Sequence, residues 1–257
     1  MHRILIILFF TISLAGCRST DPVKAAQLNT QGLALASQNK HREAIECYRK
    51  AAAYKAIPDS MRSIYLTNVA MSYHTLEVND SAKFYFAKSA ALNRKKSCAY
   101  LVNMAYIALI DHDTEMALEM LKDAHRFRPE NLTANNLLGL IYLGDYDETF
   151  HDPQKALRYN IAAYNAFEDD IAKSLLARNY YELNNTEKAI QLFRELNQKN
   201  PEIVSYLATL IMMEQELGNP ERADELLQQL KQIDEEKYKE LAADPLQPGT
   251  HNIVWNK

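Results

Sequence analysis

The sequence predicts an all-α chain built as a solenoid of about six antiparallel helix pairs, and three observations carry that expectation. Ala, Leu, Glu, Lys and Gln are abundant, while only 6 Gly and 8 Pro occur in 257 residues, a composition that favours helices. Small residues recur at Ala44, Ala82, Ala117, Ala156, Ala189 and Ala223, spaced 38, 35, 39, 33 and 34 apart. Turn-forming pairs separate the helical stretches: Asn39-Lys40, Asn79-Asp80, Asn184-Asn185 and Gly218-Asn219.

The first stretch stands outside this pattern. Residues 1–17 read MHRILIILFFTISLAGC, with one positive residue, Arg3, ahead of an apolar run from Ile4 to Leu14. That run suits a signal peptide and falls short of the roughly 20 apolar residues that span a bilayer. Leu14-Ala15-Gly16-Cys17 resembles the lipobox of bacterial lipoproteins. The resemblance implies cleavage before Cys17, lipidation of Cys17, a signal peptide at 1–16 and a tether at 17–24. Two or three acyl chains, at about 0.8 kcal/mol per buried CH₂, anchor stably where one does not. Arg18 stands where an inner-membrane retention aspartate would be, so the same resemblance implies the outer membrane, facing the periplasm. The tether after Cys17 reaches at most about 25 Å when extended, which keeps the first repeat near the bilayer.

Within each period the small residue opens the second helix of a hairpin. Gly32, Ala70, Ala105, Ala177 and Ile211 lie twelve residues upstream, and Gly139 lies seventeen upstream of Ala156 across an insertion. Two helices approach closely only where side chains are small, so paired Gly and Ala mark the crossing. Tyr48, Phe86, Leu121, Asn160, Phe193 and Leu227 follow one turn later as knobs. Pro129 and Pro201 end the third and fifth units, because proline cannot continue a helix. These positions resemble the tetratricopeptide family. The resemblance implies a right-handed superhelical solenoid over 25–236, divided at about 25–58, 63–96, 98–131, 132–169, 170–203 and 204–236. Residues 237–257 are expected to form a capping extension and tail.

The resemblance also implies where partners bind, since first helices line the inner groove of this family. Its fifth-position set includes Asn29 and Asn136. Asn68 and Asn103 occupy the sixth, like the asparagines with which some members hold a peptide backbone. Leu33, Met71, Tyr106, Leu140, Arg178 and Met212 occupy the ninth, and His74 and Tyr181 the twelfth. The set is apolar, Met- and Tyr-bearing, and suits an extended or helical apolar peptide.

No catalytic motif is present: no phosphate loop, nucleophile elbow or H-E-x-x-H. The reading is therefore non-enzymatic, with no cofactor, metal or small-molecule substrate expected. A net charge of −4 without a basic stripe excludes nucleic acid as a partner. Asp111-His112-Asp113 reads as a turn, and the insertion GDYDETFHDP at 144–153 as a solvated loop ended by Pro153. Cys47 and Cys98 sit on different repeats and read as buried free thiols. The tail, with the sole Trp at 255, is either a free end or a segment folded over the groove or the last helix pair. The function expected is an envelope-anchored scaffold for other envelope proteins. The alternative is a glycan-binding lipoprotein, since exposed members of the 15 Tyr could stack on sugar rings.

Overall fold

The computed structural model describes residues 21–167, 169–249, 253 and 255; Cys17 and the rest of the lipoprotein signal lie outside them. Among the described residues there are thirteen α-helices, one 3-10 turn and no strand. None of those helices is long and apolar enough to cross a membrane. The chain divides into two compact units, the first ending at Leu92 and the second beginning at Asn93.

Unit 1 holds α1 (Pro22–Ala36), α2 (His41–Ala52), α3 (Asp59–Thr75) and α4 (Asn79–Ala91). Asp21 caps α1 by accepting from the Val23 amide, and Pro22 supplies a ready-set first helical residue. Its two hairpins close where the sequence is small. A Cβ on Gly32 would stand 2.5 Å from Tyr48 Cε1, so α1 and α2 touch only because Gly32 has none. Ala44 and Ala82 are fully buried beside the knobs Tyr48 and Phe86. Ser89 replaces the small apolar residue of other repeats and stays satisfied: its Oγ donates to the Ser63 carbonyl at 2.9 Å. α3 starts at Asp59, ahead of the expected 63, because Asp59 puts an acid in the first turn. Arg62 also ties that turn to the end of α2, donating to the Ala52 and Tyr54 carbonyls.

Unit 2 holds α5 (Cys98–Ile110), α6 (Thr114–Phe127), α7 (Leu132–Tyr142), α8 (Pro153–Ala166), α9 (Asp170–Glu182), α10 (Thr186–Lys199), α11 (Val204–Glu216), α12 (Pro220–Ile233) and α13 (Glu235–Ala243). Ser97, Asp113, Asn131, Asp152, Asp169 and Asn185 cap six of these helices with side-chain oxygens. Ala117, Ala156 and Ala189 are fully buried. A Cβ on Gly139 would lie 1.9 Å from Asn160 Oδ1. Asn160 is itself fully buried, and its amide bonds Asn179 at 3.0 Å.

All six hairpins turn the same way. Asn39, Glu77, His112, Gly144, Asn184 and Gly218 each adopt positive φ, between 58° and 78°. In each turn, that residue's amide and the next one's bond back to carbonyls three and five positions upstream, the paired closure common at helix ends. The second turn corrects the sequence expectation. Asn79 and Asp80 begin α4, and the reversal falls at Glu77-Val78 instead. Backbone amides make this closure, so the turn does not need an Asn side chain. Cys47 and Cys98 are buried free thiols, one in each unit.

Candidate functional site

In unit 2 the first helices α7, α9 and α11 present one face to a cavity of about 900 Å³. Leu140, Ser174, Arg178, Ala208 and Met212 line it from those helices. Lys237, Glu240, Leu241 and Asp244 close it from α13 and its end, with Leu246 and Trp255 beyond. Walls that mix apolar side chains with charged and hydroxyl groups at this size suit a peptide segment or a side-chain cluster of a partner.

Arg178 holds one end of the cavity. Its guanidinium pairs with Asp145 of the insertion at 2.7 Å and with Glu182 one turn on at 2.8 Å, and it donates to the Leu143 carbonyl at 3.0 Å. Burial opposes its charge, yet the bonds to Asp145 and Glu182 outweigh that and hold it above its ordinary value. His151 of the same insertion meets Glu182 at 2.9 Å. The 144–153 insertion is therefore pinned to α9 rather than simply solvated. Its Tyr146 is raised to about 12 by burial and then by the nearby Asp145 charge.

Tyr181 is buried at the next turn of α9. Its hydroxyl donates to the Glu216 carboxylate, 2.8 Å from the nearer oxygen, and accepts from the Ile253 amide at 3.0 Å. Burial raises its pKa above the usual tyrosine value; the Ile253 bond lowers it, and the Glu216 bond raises it. Trp255 stacks on Phe193 at 6.0 Å, meets Tyr181 edge-on at 5.6 Å and lies 5.6 Å from the Arg178 guanidinium. The fold-back alternative for the tail thus describes Ile253 and Trp255.

The other groove candidates are distributed as follows. In unit 1, Leu33 is 49% exposed, with Met71 and His74 half-buried. Asn68 donates to Asn29 at 2.8 Å. In unit 2, Asn103 is 3% exposed and donates to its own helix at the Ala99 carbonyl. Tyr106 is buried, its hydroxyl raised first by that burial and then by Tyr146. Asn136 is half-buried. Leu140, Arg178 and Met212 meet around the cavity, with Tyr181 beside Trp255. The repeat pattern marked Phe193 as a packing knob and did not single out Lys237, Glu240 and Trp255. The signals for them were an apolar Ile-Val-Trp run in a Pro- and Gly-bearing tail, and the one charged residue, Arg178, in an apolar set. Among the described residues no cluster of three or more His, Cys, Asp or Glu is placed to hold a metal.

Two stretches match family models of the tetratricopeptide repeat: residues 28–57, which fall on α1 and α2, and residues 172–202, on α9 and α10. Those two stretches carry tetratricopeptide repeats. Solved tetratricopeptide structures share the fold at low identity. The hetero-tetramer Cut9–Hcn1 of the APC/C superposes with a TM-score of 0.67 at 16% identity, covering 88% of this chain and 44% of that one. PilF of Pseudomonas aeruginosa gives 0.57 at 18% identity, covering 86% and 97%. YrrB, described as a tetratricopeptide protein with an unusual peptide-binding site, gives 0.53 at 17%, covering 71% and 92%. In sequence, the BBSome complex member BBS4 from Bos taurus is 30% identical over 152 residues. That match takes in 58% of this chain and spans 28% of the length of BBS4. Repeats of this kind generally serve as surfaces for binding other proteins.

Proposed function

We propose that this chain is a non-enzymatic scaffold, anchored to the bacterial envelope through lipid on Cys17, that binds partner proteins along its first-helix faces. The observation that carries the reading is the cavity of about 900 Å³ walled by α7, α9 and α11, the helices that face partners in this repeat family. Tetratricopeptide repeats supply the general role, and the peptide-binding site of YrrB is in keeping with it. The anchor rests on Leu14-Ala15-Gly16-Cys17 after an apolar run, and Arg18 favours the outer membrane, facing the periplasm. The partners are then other envelope proteins held close to the bilayer.

The test is capture from detergent-solubilised envelope by the full chain and by a Met212→Glu variant. Met212 lines the cavity and is half-buried, so a charge there blocks an apolar occupant while the helices stay intact by circular dichroism. The expected outcome is loss of specific partners. An unchanged set would defeat the cavity as the partner site. A Cys17→Ser chain is expected to lose lipid labelling and leave the membrane fraction; retention there would defeat the anchor.

A further inference from the structure

Part of the site in unit 2 is already filled by the chain's own end. α13 packs beside α12 and buries Leu241. Beyond it the chain bonds the end of α11 and then reaches α9 and α10, an earlier hairpin. Three backbone amides of this segment are received by acceptors on the repeats. Leu246 donates to Gln215 Oε1 at 3.1 Å, Gly249 to the Glu216 carbonyl at 2.9 Å, and Ile253 to the Tyr181 hydroxyl at 3.0 Å. Amide bonds of this kind carry no side-chain information, so the same acceptors can receive the main chain of another segment.

Selection comes from two side chains. Ile253 is buried in the apolar cluster with Tyr181, Phe193 and Leu207. Trp255 has aromatic rings on two sides and a cation near its face, contacts that add to the burial of its area. The two anchors are two residues apart in the chain, and Trp255 also forms part of the wall of the open cavity.

We propose that the site around Arg178, Tyr181 and Phe193 binds a partner segment with an aliphatic residue two before an aromatic one. Ile253 and Trp255 hold that place until such a segment displaces them. The inference rests on the reading of this face as a partner site. A tethered occupant competes at an effective concentration on the order of millimolar. A tail of about 100 µM intrinsic affinity therefore weakens any competing segment about tenfold.

The experiment uses the full chain carrying Ile253→Ser and Trp255→Ala, with a fluorescein-labelled peptide of residues 244–257 followed by anisotropy. The variant is expected to bind the peptide about tenfold tighter than the wild-type chain does. A peptide with the Trp replaced by Ala is expected to bind neither protein. Equal affinity for both proteins, or no binding to a variant whose helical circular dichroism is intact, overturns the proposal. A second measurement needs no variant: excess unlabelled peptide should speed carboxypeptidase trimming of the wild-type C-terminus, and an unchanged rate counts against displacement. Trp255 emission that shifts with protein concentration would mean that the tail reaches a second copy, which also overturns it. Loss of Met212 dependence in the capture experiment defeats the partner-site reading, whereas equal peptide binding defeats this inference alone.

Discussion

The two units treat the same family positions in opposite ways. Among the described residues the first-helix face of unit 1 is left open: Leu33 is 49% exposed, Met71 and His74 are half-buried, and the Asn68–Asn29 bond joins two side chains of the face itself. In unit 2 Leu140 and Met212 line the cavity, while three other positions are engaged by the rest of the chain. The insertion takes Arg178 through Asp145, Tyr146 lies by Tyr106, and the tail takes Tyr181. The difference teaches that a repeat position defines which way a side chain faces, while additions to the array decide whether anything can reach it. One inserted loop and one tail are enough to change the answer.

The largest expected effect separates the units by how their hairpins are packed. Ala is favoured over Gly in a helix by about 1 kcal/mol, and overpacking costs about 1–3 kcal/mol. Gly32→Ala must push aside the Tyr48 ring, for a net loss of about 1 kcal/mol. Gly139→Ala must displace Asn160 and so break its buried bond to Asn179. That adds about 1–3 kcal/mol, for a loss of about 3 kcal/mol in unit 2. Urea unfolding followed by hydrogen exchange resolved by segment would measure both, and equal losses would contradict the contrast.

A smaller effect should be shared by both units. Glu77 and His112 carry side chains at positive φ, which costs an L-residue about 1–2 kcal/mol. Glycine relieves this but adds freedom to the unfolded chain. Glu77→Gly and His112→Gly are thus each expected to stabilise by about 0.5–1 kcal/mol, read as a rise in thermal midpoint. A fall would mean that the side chains contribute something the turn geometry does not require.

The smallest effect lies in unit 2. Asp170 at the start of α9 bonds Lys199 at 2.7 Å and Asn200 at 2.9 Å. The Lys199 bond chiefly holds its carboxyl below the usual carboxylate value, against a smaller opposing push from burial. A carboxyl with a lowered pKa contributes stability above its unfolded value, and that contribution disappears as pH falls through the folded value. Asp170→Asn should therefore cost less than about 1 kcal/mol at neutral pH. Its difference from wild type should shrink as pH falls below about 4 and vanish only beneath the lowered folded value, as judged by thermal melts across pH.

The helical pairing was legible because crossings need small side chains, and Ala44, Ala82, Ala117, Ala156 and Ala189 announce them at full burial. The second turn was less legible. Left-handed backbone at Glu77 leaves no mark in residue type when amides alone make the closure, whereas Asp111-His112-Asp113 read as the turn it is. The expectation for Asn79-Asp80 failed for that reason. The open positions of unit 1 were readable because they depend only on repeat phase. Those of unit 2 depend on contacts across 33 residues, from Arg178 to Asp145, and 72 residues, from Tyr181 to Ile253. No local pattern encodes separations of that size. The lone charge of Arg178 and the apolar run at Ile253 were the traces they left.

Because every hairpin is joined by main-chain atoms, the residue at each bend is released from joining anything. An acid at 77, an imidazole at 112 and an amide at 184 all sit on the same bend. The rim of the molecule can therefore change its charge and hydrogen-bonding character from one hairpin to the next while the angle between paired rods stays constant. Chemistry at the edge and geometry of the frame are free to evolve separately.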